Sequence, residues 1–109
     1  MKYNVLTIPP FDMQLKRLAK KFPSLKAEYI ALIENLEENP NTGTSLGNNC
    51  FKIRLAIASK GRGKSGGARV ITHFYIKNNT VFLLAIYDKS EQTDISDKEL
   101  RELLFEIEQ

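Results

Sequence analysis

From Phe51 to Ala58 the chain alternates without a break. Phe51, Ile53, Leu55 and Ile57 fall on one parity, and Lys52, Arg54, Ala56 and Ala58 on the other. Successive side chains of a strand point to opposite faces, so this stretch predicts a strand with one apolar face. That face must be buried against a second layer. The other parity then sends Lys52 and Arg54 out together, two residues apart on one face.

The second layer is legible upstream. Residues 3–8 read as a short strand stopped by Pro9-Pro10, a pair that cannot continue a ladder but suits the first turn of a helix. Phe11, Leu15, Leu18 and Phe22 then recur at helical spacing, and Pro23 ends that run. Ser24 is the expected cap of a second helix, striped by Leu25, Tyr29, Leu32, Ile33 and Leu36 and closed at Asn39-Pro40. The two helices predict a hairpin with one apolar side. Residues 41–49 carry Gly, Asn and Thr without periodicity and read as a loop.

Beyond the alternating strand, a basic glycine-rich loop runs from Ser59 to Gly67. Residues 68–77 read as a strand, Asn78-Asn79 as its turn, and residues 80–87 as a central strand apolar on both faces. Ser96-Asp97-Lys98-Glu99 has the pattern of a capping box and opens a last helix striped by Leu100, Leu103, Leu104 and Ile107. The expected fold is α+β, in the order β-α-α-β-β-β-α. A mostly antiparallel sheet packs its Phe51/Ile53 face on the helical hairpin. The other face is expected to be exposed, carrying Lys52, Arg54, Arg69 and His73. At 109 residues the chain fits one domain, 1–109, with one modest core.

Charge is distributed unevenly. Between Asn39 and Tyr87 there is no Asp or Glu, yet Lys52, Arg54, Lys60, Arg62, Lys64, Arg69 and Lys77 all lie there. The formal net charge is only +3, because the acids crowd the two ends. A basic block interleaved with strands is the footprint of a surface that meets polyanions, most often a nucleic acid backbone. The competing reading is a solvated basic face with no partner. No apolar run reaches the ~18 residues of a membrane span, and the start of the chain lacks a signal-peptide pattern, so a cytoplasmic protein without membrane contact is expected. The single Cys50 fits a reducing compartment and reads as a semi-buried strand-start thiol.

Gly61-Arg62-Gly63-Lys64-Ser65-Gly66 has the letters of two nucleotide-binding motifs, and both mislead. A phosphate loop must open a helix whose N-terminus holds the anion, whereas here a strand follows. The first glycine of a Walker motif would fall at position 58, which is Ala58. The segment reads instead as a loop carrying Lys60, Arg62 and Lys64 to a phosphate backbone, with Lys77 a further contact. Arg69 starts the following strand, close enough to converge with Lys52 and Arg54. Cleavage of RNA by its own 2′-hydroxyl develops negative charge on the phosphorane oxygens, which fixed guanidinium and ammonium groups stabilise. A binding-only basic face is the alternative. His73 shares a parity with Arg69 but a lone strand histidine is commonly structural. Tyr87 can transfer a proton or stack on a base, and a core or rim tyrosine is an equal reading. No cluster of His, Cys and carboxylates has metal-ligand spacing, so neither metal nor cofactor is expected.

Lys52-Ile53-Arg54, the segment Gly61 to Ile71 and the segment Leu83 to Lys89 together resemble the RelE/HigB superfamily of bacterial type II toxins. The likeness is strongest to its HigB-like branch with the long Gly-Arg-Gly-Lys-Ser-Gly-Gly loop. The resemblance implies a small α+β toxin, a ribosome-dependent endoribonuclease cleaving messenger RNA in the A site, and a cognate antitoxin protein as partner beside ribosome and mRNA. Carried over by position, Lys52 and Arg54 match paired basic residues, Arg69 an arginine that stabilises the transition state, and Lys89 a basic residue after the last strand. Some members carry a catalytic tyrosine where this chain has Thr93, Asp94 and Ile95. The proton acceptor therefore stays open among Tyr87, His73, Glu91 and a lysine. A non-catalytic RNA- or ribosome-binding module, or a ParE-like toxin with another target, are the alternative readings.

Overall fold

The structure, a computed structural model, describes residues 2–61 and 63–108. Its elements are β1 (Asn4–Thr7), α1 (Pro9–Lys21), α2 (Leu25–Glu38), β2 (Thr44–Gly47), β3 (Cys50–Leu55), β4 (Ala68–Tyr75), β5 (Thr80–Asp88) and α3 (Asp97–Glu108). Single 3₁₀ turns precede the glycine-rich loop (Ala58–Lys60) and the β4–β5 turn (Ile76–Asn78).

The prolines act as their chemistry requires, since α1 begins at Pro9 and Pro10 where no amide hydrogen is needed. Phe11 and Leu18 of α1 and Leu25, Leu32 and Leu36 of α2 are buried. Burying such a side chain stabilises the fold by roughly 1.5–3 kcal/mol. Ser24 does not cap α2 with its side chain; its hydroxyl meets Glu28 and Ser59 instead. At α3 the capping box forms as expected, with Ser96 Oγ accepting from the Glu99 amide at 3.1 Å and Glu99 Oε1 accepting from the Ser96 amide at 3.4 Å.

The sheet has five strands in the order β1-β5-β4-β3-β2. It carries one strand more than the sequence pattern suggests. β2 lies in the segment read as loop and pairs antiparallel with β3 through Asn48 and Asn49, both at positive φ. Its residues alternate without a core-facing apolar row, which is why periodicity misses it. β1 pairs parallel to β5, and the other pairings are antiparallel.

Two faces follow from register. Ile53, Val70 and Ile86 stand side by side, as do Leu55, Ala68 and Asp88. This is the face of the helical hairpin, where Lys21 of α1 reaches Asp88. On the other face Arg54, Arg69 and Tyr87 form one row and Lys52, Ile71 and Ala85 the next. The sequence suggests an exposed second face, and the structure corrects this. The 89–96 segment and α3 close over its Tyr87 end and the glycine-rich loop over Arg69, and Ile71, Arg69 and Tyr87 are all buried. The apolar stripe Leu100, Leu103, Leu104 and Ile107 needed a surface to cover, and no other uncovered face of the sheet was left to supply one.

Candidate RNA-contacting site

The row Arg54–Arg69–Tyr87 crosses the three strands β3, β4 and β5, with neighbours directly opposite in register. Arg54 is exposed at its outer end, while Arg69 is only 5% exposed and Tyr87 also 5%. Arg69 needs partners for its donors at that depth, and it finds them in the glycine-rich loop. Its Nη1 donates to the Lys64 carbonyl at 2.8 Å and the Ala68 carbonyl at 3.1 Å, and its Nη2 to the Ser65 carbonyl at 3.4 Å. A buried guanidinium fixed by neutral carbonyls is a preorganised cation.

Lys52 is half-buried one row further along, and its ammonium lies 3.4 Å from Asp94 Oδ1. The Asp94 carboxyl is held below the usual carboxylate range, first by the Ile95 amide it accepts from and then by Lys52 and Lys89. Lys89 donates to the Thr93 carbonyl at 2.9 Å. The two lysines thus grip the same short segment from either side.

The Tyr87 hydroxyl is buried and has no hydrogen-bond partner among the described residues. Its pKa is raised, chiefly by burial and further by Asp94 and Glu99, against a lowering by Arg69. Tyr87 is therefore a neutral phenol at pH 7, able to donate a proton or hydrogen bond and poorly suited to accept one. An orphaned buried hydroxyl costs ~1–3 kcal/mol. Tyr87 also lines a cleft of about 390 Å³ between α1, β5 and α3, walled by Met13, Ile95 and Leu103 and edged by Glu99 and Glu102.

Other candidates from the sequence fall elsewhere. The sequence predicts Lys60 to face RNA, but in the structure it turns inward. It is paired with the buried Asp88, donates to Ser90 Oγ at 2.7 Å and sits 5.8 Å from the centre of the Phe22 ring. Burial alone would raise the Asp88 pKa. The Lys60 hydrogen bond, the Ser90 amide and the charges of Lys60 and Lys21 outweigh it and hold that carboxyl low. Lys77 lies in the turn after Tyr75, at the opposite end of β4 from Arg69, so the fold does not bring it to the row. Lys64 is exposed on the loop, and Arg62 lies outside the described residues. His73 stands opposite Cys50, its Nδ1 3.5 Å from the sulfur, four residues along β4 from Arg69. Burial pushes the Cys50 thiol up to about 11, which leaves it an unreactive protonated group. Glu91 pairs with Arg17 at 3.1 Å, on the α1 side.

Sequence reasoning missed Asp88 and Asp94, the two acids that organise these lysines. The one signal was their position, Asp88 at the end of the central strand and Asp94 three residues before the last helix. Among the described residues no three His, Cys, Asp or Glu are grouped to hold a metal ion, and no helix is long and apolar enough to cross a membrane.

A five-stranded sheet on a helical hairpin, with a cross-strand row of one exposed and one buried arginine beside a C-terminal helix, defines a small basic α+β protein. Residues 12–106 match the family model described as the RelE toxin of the RelE/RelB toxin–antitoxin system. The chain belongs to that family, the toxins of type II toxin–antitoxin systems. Solved structures agree on the fold. An arginine-to-alanine double mutant of the Escherichia coli toxin RelE in the free state aligns with TM-score 0.62 at 16% identity, over 98% of this chain and 99% of that one. The RelBE2 toxin–antitoxin complex from Mycobacterium tuberculosis aligns with TM-score 0.57 at 16% identity, over 81% and 92%. A metal-bound toxin from Helicobacter pylori aligns with TM-score 0.51 at 22% identity, over 83% and 98%.

Proposed function

We propose that this chain is a ribosome-dependent endoribonuclease of the HigB-like branch, cleaving messenger RNA in the A site and restrained by a cognate antitoxin. The register row Arg54–Arg69–Tyr87 is the observation that supports this reading most. In self-cleavage the 2′-hydroxyl gives its proton to solvent as its oxygen bonds to phosphorus, the bond to the 5′-oxygen breaks, and that departing oxygen takes up a proton. Arg54, on the rim, and Lys52 draw in the phosphate. Arg69, fixed beneath, stabilises the charge of the phosphorane, and the neutral phenol of Tyr87 donates towards the departing oxygen once RNA displaces the segment that covers it. Lys64 and Lys89 extend the cationic border. Action on the ribosome places the protein in the cytoplasm, and the partners are mRNA, ribosome and an antitoxin encoded beside it.

The test is induced expression in a bacterial host with mapping of messenger RNA 5′ ends, for the wild type and Arg69→Ala. New ends phased to codons in the wild type and absent from the variant are expected. Growth arrest without new ends would point to another target and overturn the reading.

A further inference from the structure

We infer that Lys60 and Asp88 are positioning residues, whose buried ion pair moors the glycine-rich loop and through it sets the geometry of Arg69. The inference rests on the proposed role of Arg69 and adds how the protein keeps that arginine in place.

The loop between β3 and β4 is held to the body at several points. At its start the Ala58 amide donates to Glu28 Oε2 at 2.6 Å and the Ser59 amide to Ser24 Oγ at 2.9 Å, both on α2 or at its edge. At its end the Gly67 carbonyl accepts from the Lys89 amide at 3.0 Å. Between them Lys60 crosses to the end of β5. Its side chain is 10% exposed and that of Asp88 1%, so water does not screen the pair. Asp88 also accepts from the Ser90 amide at 2.9 Å and lies 3.7 Å from Lys21, so its charge is shared among several donors. A buried ion pair satisfied in this way fixes a geometry more than it adds stability.

The consequence reaches Arg69 through carbonyls. The loop crest presents the Lys64 and Ser65 oxygens that hold the guanidinium. Asp88 is the residue after Tyr87 and stands opposite Ala68, the residue before Arg69. Lys60 is thus tied to the same strand ends that carry the row, although it lies on the other side of the sheet. With the mooring cut, the crest can lift, and the two carbonyls leave the arginine. A displacement of about 1 Å at such a group can cost on the order of 10²-fold in rate.

The test compares Lys60→Met, Lys60→Arg and the double variant Lys60→Met/Asp88→Asn with the wild type. The double variant removes both charges, so no unpaired buried charge is left to unfold it. Trypsin nicking of the native protein after Lys64 reads the loop directly, because cleavage tracks the open population. Single-turnover mRNA cleavage and ribosome affinity are measured on the same proteins. We expect nicking to rise at least ~10-fold in Lys60→Met and in the double variant and to fall back in Lys60→Arg. Cleavage should drop by on the order of 10²-fold while ribosome affinity changes less than about twofold. Unchanged nicking overturns the mooring, and faster nicking with unchanged cleavage overturns the link to Arg69. Should the wild type itself not cleave mRNA, the functional reading and the link to Arg69 both fall, while nicking still decides whether Lys60 and Asp88 moor the loop.

Discussion

Arg54 and Arg69 stand directly opposite each other across β3 and β4, two guanidinium groups in one cross-strand pair. Like charges so placed destabilise a sheet by roughly 0.2–1 kcal/mol. Arg69 offsets this through its carbonyl partners, whereas Arg54, exposed at the rim, has no such compensation among the described residues. The two substitutions should therefore behave differently. Arg54→Ala relieves the repulsion, and its urea midpoint should rise slightly, by the equivalent of up to ~0.5 kcal/mol, while cleavage slows. Arg69→Ala should slow single-turnover cleavage by ~10²–10³, the scale of losing one preorganised donor, with a far smaller loss of ribosome affinity. Lys16→Ala, exposed on α1, should change neither. Equal losses of rate and affinity in Arg69→Ala would make that arginine a binding group only.

On the proposed function, Asp94 would compete with RNA for Lys52, to which it is paired in the structure. The ion pair is 3.4 Å long and its carboxylate side is 63% exposed, so it is worth at most ~1 kcal/mol. Asp94→Asn should accordingly tighten ribosome binding by about two- to fivefold at low salt. The gain should shrink as salt screens the contact. Co-sedimentation across a salt series checks this, and weaker binding of Asp94→Asn would show that the acid orders the site instead of occupying it.

The parts of this molecule that were readable from its sequence are those governed by local period. The alternation of Phe51 to Ile57, the helical stripes of α1, α2 and α3, and the Ser96/Glu99 capping box all declare themselves within a few residues. β2 did not, because an edge strand with little burial has no apolar period to display. The placement of α3 over the second sheet face was equally hidden, since its stripe says only that it covers something. The inward turn of Lys60 was hidden for a related reason. A lysine in a glycine-rich basic loop looks like its neighbours, and only the 28-residue return to Asp88 distinguishes it. Periodicity reports which side chains are buried; it does not report which distant charge meets them.

The Asp88 carboxyl gives the fold an acid limit. Its pKa in the folded protein is lowered, so the charged form is favoured relative to the unfolded chain, where the ordinary value is near 3.9. Its contribution is therefore complete above the unfolded value and is lost as pH falls through the lowered folded value. The stability of the wild type should decline from about pH 5 downwards, and Asp88→Asn should show a flatter decline over that window. Urea midpoints measured from pH 2 to 7 decide it. Parallel curves for the two proteins would mean that other carboxylates set the limit.

Gly67 allows the loop to end against β3. A Cβ built there would lie 2.1 Å from the Leu55 carbonyl oxygen and 3.1 Å from the Gly63 carbonyl oxygen. The first of these is backbone of a paired strand and cannot yield as a flexible side chain would. Gly67→Ala must therefore push β3 and the start of β4 apart, where Leu55 pairs with Ala68 and Arg54 with Arg69. Overpacking of this kind costs typically 1–3 kcal/mol, and it falls on the row that carries Arg69. The expected result is a thermal midpoint several degrees lower, together with a loss of cleavage greater than the loss of folded protein at the assay temperature. Gly63→Ala has no atom within 4 Å of the added carbon but sits at φ +61°, so it should cost only the backbone strain, on the order of 1 kcal/mol. Measuring both variants separates crowding from conformation. If Gly63→Ala lowers the midpoint as far as Gly67→Ala does, close approach to Leu55 is not what the second glycine provides.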